Sequence, residues 1–170
     1  DKTYGDAPFG VSATASSGLA VSFASQTPLK CTVSSSTVTI VAAGTCTIRA
    51  SQGGNDNYNA APDVDQSFTI NKASQTISFG ALSAKTYGDA AFVLGATASS
   101  GLAVSYSSGN TSVATVNGST VTIVGAGSAV ITANQGGNTN YAAATPVTQT
   151  LTVNKANATI SFAGLSATYD

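Results

Sequence analysis

The chain has 170 residues, a formal net charge of −1 and only 8% charged residues, and it lacks histidine, methionine and tryptophan. Without histidine it has no imidazole base, no Ser-His or Cys-His nucleophile pair and no usual zinc or copper ligand set. The scattered Lys and Arg form no basic stripe to neutralise phosphates, and no apolar run approaches the roughly 20 residues of a membrane-spanning helix, which argues against nucleic acid and membrane insertion.

Along the chain, the elements come twice. "TYGDA" at Thr3 returns at Thr86, "ATASSGLAVS" at Ala13 returns at Ala96, "QGGN" at Gln52 returns at Gln135, and "NKA" at Asn71 returns at Asn154. Every offset is 83 residues, and roughly three-fifths of the aligned positions are identical. That period is too long for a solenoid unit and is the size of a small domain. The "NKA" linkers predict a first repeat over 1–72 that lacks its N-terminal strand, a second over 73–155, and the start of a third over 156–170. There "ATISFAGLSATYD" from Ala158 echoes "QTISFGALSAKTYGD" from Gln75, so Thr159 to Phe162 reads as a first strand without a domain. The other phase assigns Thr76 to Phe79 to the first domain and leaves two complete units. Because the first residues already lie inside a repeat, the chain reads as a piece of a longer exported protein.

Alternating apolar residues predict strands. In the second repeat they fall near Thr76–Phe79, Phe92–Ala98, Ala103–Ser107, Val113–Val116, Thr120–Val124, Ala129–Ala133 and Val147–Val153. The intervening "SSG", "NGS", "GAG" and "QGGNTN" are turn compositions, since Gly and Asn accept positive φ at little cost. About seven short strands with no helical period predict an all-β fold: tandem immunoglobulin-like antiparallel β-sandwich domains, arranged end to end.

The pattern "TISF…KTYGD…ATASSGLAVSYSS…STVTIVGAGSAVITA…QGGN…LTVNKA" resembles the bacterial Ig-like and MBG-type tandem repeats of large bacterial surface and adhesin-like proteins. The resemblance covers the whole chain. It implies an extracellular array of β-domains and carries no catalytic residues to transfer.

Both cysteines, Cys31 and Cys46, lie in the first repeat, and alanine stands at the matching Ala114 and Ala129. Cys31 shares strand parity with Val33, and Cys46 with Ile48 and Ala50, so both side chains point into the core. They are either buried thiols acting as small hydrophobes or a disulfide between the two sheets, and their joint replacement favours the disulfide. Such a bond would stabilise the domain by roughly 3 kcal/mol and would persist in an oxidising compartment.

Two further motifs are candidate sites. In "YGD", Asp6 and Asp89 serve either as acceptors for turn N–H groups or as calcium ligands at a domain junction. Asn55, Asp56, Asn57, Asp63 and Asp65 could contribute oxygens, but Thr139, Pro146 and Thr148 replace the three aspartates in the second repeat, which argues against a repeating calcium clamp. "QGGNDNY" and "QGGNTNY" place Asn55, Asp56, Tyr58, Asn138 and Tyr141 in the loop where antibody-like domains bind ligands, although the tyrosines equally suit plugs against the following strand. The expected function is a structural spacer or stalk on a bacterial surface, without catalysis or cofactor, whose partners are neighbouring repeats. The alternative is a module that binds a glycan or a host or cell-surface protein through end loops or a sheet face.

Overall fold

The computed structural model describes residues 1–164, so the end of the expected third repeat, 165–170, lies outside the described residues. The described chain is all-β, with several sheets and no helix. It therefore has no helix long and apolar enough to cross a membrane. Two compact units are present. One comprises Asp1–Thr76, Ala98–Leu102 and Gln135–Thr145; the other comprises Ile77–Thr97, Ala103–Asn134 and the described residues from Pro146 on.

The first repeat contributes β1 (Lys2–Thr3), β2 (Phe9–Gly10), β3 (Ser22–Ser25), β4 (Cys31–Ser34), β5 (Thr37–Ile40), β6 (Gly44–Gln52) and β7 (Ala61–Asn71). They form a four-stranded sheet ordered β1-β7-β6-β3 and a three-stranded sheet ordered β2-β5-β4. Strand alternation explains the core: Thr37 and Thr39 of β5 are exposed while Val38 between them is fully buried. Val38 and Cys31 from the smaller sheet join Cys46, Ile48 and Ile70 from the larger one in a single cluster, with Phe9, Val11, Phe23 and Phe68 packed against it.

The second repeat contributes β8 (Ile77–Ser78), β9 (Lys85–Thr86), β10 (Phe92–Val93), β11 (Thr97–Ala98), β12 (Ser105–Ser108), β13 (Ala114–Asn117), β14 (Thr120–Ile123), β15 (Gly127–Asn134) and β16 (Val147–Asn154). Its sheets are β12-β15-β16-β9, β10-β14-β13 and the pair β11-β8. Seven of these strands stand at the 83-residue offset from β1–β7 and keep the same ladder partners, as when Phe9 opposes Val38 and Phe92 opposes Val121. Only β8 and β11 have no counterpart strand in the first repeat. The shared β4–β5 hairpin geometry is strict enough that Ser35 takes φ 54° where the second repeat has Gly118 at φ 59°.

Three expectations need correction. The sheets are not wholly antiparallel, because β1 runs parallel to β7 and β9 parallel to β16. These two-residue strands precede the "YGD" turns and are too short for alternation to reveal. The single strand expected over Phe92–Ala98 is broken: Leu94 N–H donates to Ser119 C=O at 2.8 Å and Ala96 N–H to the Tyr106 hydroxyl at 2.8 Å. The chain thereby changes partner, with β10 on β14 and β11 on β8. Lastly, Thr159–Phe162 forms no strand, and its Ile160 and Phe162 are exposed.

Candidate functional site

In each "YGD" motif the glycine takes a left-handed backbone, φ 95° at Gly5 and 96° at Gly88. Asp6 Oδ2 accepts from Thr3 N–H at 2.9 Å while Asp6 N–H donates to Thr3 C=O, and Asp89 makes the same two bonds with Thr86. Both carboxylates are thus engaged by their own turns. Among the described residues, no three His, Cys, Asp or Glu side chains converge as a metal site.

The asparagines of the "QGGN" loops behave likewise. Asn55 Oδ1 accepts from Asn57 and Tyr58 N–H, both at 2.9 Å, and Asn138 Oδ1 accepts from Asn140 and Tyr141 N–H at 2.8 and 2.9 Å. These are side chains closing tight turns. The tyrosines then diverge. Tyr141 meets Tyr4 edge to face with ring centroids 5.5 Å apart, whereas Tyr58, expected as a plug, is exposed. Asp56 is exposed as well. Within the first compact unit, the loop holding Asn138 also binds the "NKA" segment: Lys72 Nζ donates to Asn138 C=O at 2.7 Å, and Ala73 exchanges backbone bonds with Asn140 and Ala142. Of the candidate loop residues, the structure therefore gathers Asn138 and Tyr141 around that segment.

Cys31 and Cys46 form a disulfide with Cα atoms 5.7 Å apart, joining the two sheets of the first repeat, and both are fully buried. Sequence reasoning missed Arg49, which donates through Nε and Nη2 to the two carboxylate oxygens of Asp65, both at 2.8 Å, with Asp63 at 3.6 Å. The hydrogen bonds and charge of Arg49 hold the Asp65 carboxyl below its ordinary value. A depressed folded value means that the pair's contribution is fully present above about pH 4 and drains away as pH falls through that lower value. Asp65→Asn should therefore lower stability slightly at neutral pH and make little difference near pH 2, flattening the acid limb, as read by denaturation between pH 2 and 7. An unaltered acid limb would show that the pair contributes nothing.

The first repeat carries a concave surface. A groove of about 550 Å³ is lined by residues that include Val11, Ala15, Phe23, Ile48, Gln66 and Phe68. The matching region of the second repeat is covered by β8 and Phe79. There Ile77 and Phe79 are buried, the Phe79 ring lies 5.8 Å from that of Tyr106, and Phe79 C=O accepts from Gln149 Nε2 at 2.7 Å. Phe23 and Gln66, which occupy the positions of Tyr106 and Gln149, line the groove.

No protein-family model matches the chain, and no curated protein matches it. Among solved structures, the surface layer protein SbsC, solved as its domains 1–6, is similar to it at 19% identity with a TM-score of 0.35, over 81% of this chain. The chain spans only 20% of that protein's length.

Proposed function

We propose that the chain consists of tandem immunoglobulin-like sandwich repeats serving as non-catalytic spacers in an exported bacterial surface or adhesin-like protein. The observation that supports this reading best is the recurrence of seven strands with the same ladder partners at a constant offset. A spacer needs cooperative modules, and each repeat supplies one long ladder for the purpose: β6 with β7, and β15 with β16. The polar groups of the "YGD" and "QGGN" motifs are spent on holding turns, as a scaffold requires. A buried intersheet disulfide suits an oxidising, extracellular setting.

Pulling single molecules by their ends tests this reading. Two separate unfolding events are expected, and reduction should lengthen one of them by about 50 Å, the extended length of the 15-residue span between the cysteines. A single event releasing the whole chain would overturn the modular spacer. Small-angle scattering from an elongated particle would support the end-to-end arrangement.

A further inference from the structure

We propose that the loop joining β15 to β16 is a clasp that completes the fold of the first repeat, with Asn140 as its key residue. The sequence period ends the first repeat at residue 72, yet the first compact unit also contains Gln135–Thr145, and every contact of the clasp lies within that unit. Asn140 makes three bonds there. Its N–H donates to Asn138 Oδ1 at 2.8 Å, which tightens the loop, and its C=O accepts from Ala73 N–H at 2.9 Å. Its Oδ1 accepts from Ala43 N–H at 3.0 Å, across 97 residues of sequence. Ala43 is buried and its C=O is held by Lys30 Nζ at 2.8 Å, so Asn140 is the partner that keeps a buried N–H from being orphaned. Tyr141 carries the contact further inward, because its ring meets Tyr4, which packs against the cluster around Cys31 and Cys46.

The same loop grips the "NKA" segment. Ala73 pairs with Tyr141 in a parallel bridge, and Ala142 N–H donates to Ala73 C=O at 2.9 Å. Two residues on, the buried Gln75 side chain donates to Gln135 Oε1 and to Ala142 C=O and accepts from the Ser100 hydroxyl. Among the described residues no buried side-chain nitrogen or oxygen lacks a partner, so this network is satisfied throughout. A buried amide held at both ends fixes the register of its segment, since a slip of one residue would put Ser74 or Thr76 in its place and strand its partners. The segment is therefore a bound strand and not a hinge. The folding unit is out of step with the sequence period: residues written in the second repeat supply the partner of Ala43 and the ring that covers Tyr4, and so help keep the first repeat closed. The proposal does not depend on the spacer reading.

The Cys31–Cys46 bond supplies the readout, because it lies in the first repeat alone and both cysteines are fully buried. Its reduction in the 170-residue chain by excess dithiothreitol in moderate urea measures how often that repeat opens. Asn140→Ala should speed reduction about tenfold, the effect of leaving one buried donor unpaired. Asn140→Asp keeps an acceptor oxygen in the same place and should stay within about twofold of the parent chain. Thr150→Ala, at an exposed position of β16 outside the clasp, is the control and should leave the rate unchanged. Hydrogen exchange without urea gives the local reading: the Ala43 amide should be protected in the parent and should exchange at least about tenfold faster in Asn140→Ala. Unchanged reduction and unchanged Ala43 exchange in Asn140→Ala overturn the clasp. Reduction of Asn140→Asp as fast as that of Asn140→Ala overturns the hydrogen bond as its key, and equal acceleration by Thr150→Ala shows a general loosening that the clasp does not explain.

Discussion

Phe79→Ala should cost the second repeat about 3–4 kcal/mol, the usual loss for a buried Phe truncated in a core that collapses only partly. Phe79 is buried against Tyr106, and its own carbonyl holds Gln149. The ring thus packs the residue following β8 on β12, while its backbone carbonyl holds the Gln149 side chain of β16. Equilibrium denaturation with hydrogen exchange read separately on each repeat should show the loss at Thr97, Ala98 and the β16 amides, with little change around Cys31 and Cys46. A cost below about 1 kcal/mol would mean that the strand only decorates the repeat, because a well-packed Phe cannot be removed so cheaply.

Cys31→Ala/Cys46→Ala should lower the stability of the first repeat by about 3 kcal/mol and leave the second unchanged, since the bond closes a span of 15 residues. The second repeat shows what the variant should look like. Ala114 and Ala129 are buried at the same two positions, and the strands around them keep their registers. The disulfide therefore reinforces one repeat without defining its fold. Reduction should lower that repeat's urea midpoint selectively. Equal loss in both repeats would show that they do not unfold as separate modules.

Much of the architecture was legible in the residues. Alternation in "STVTIV" placed Val38 and Val121 inward because successive strand side chains point to opposite faces, and strand parity alone put both cysteines in the core. The 83-residue period implied that whatever one repeat did, the other would repeat, as the paired ladders show. The "YGD" turns were readable too, since Gly5 and Gly88 supply a backbone angle that other residues resist and the following aspartate answers the local N–H groups. Such features depend on neighbours in sequence. What only the tertiary structure decided depends on partners far along the chain. The break at Leu94–Ala96 follows from bonds to Ser119 and Tyr106, and the Arg49–Asp65 pair from the register of β6 on β7. Tyr58 and Tyr141 sit in nearly identical heptads, yet one is exposed and the other packs on Tyr4, because burial is set by what lies opposite and not by the residue's own letter. The same holds for "TISF" at Thr76–Phe79: strand propensity and alternation give Ile77 and Phe79 one face, but the pairing with β11 and the apolar residues met there are what bury them while Thr76 and Ser78 stay exposed.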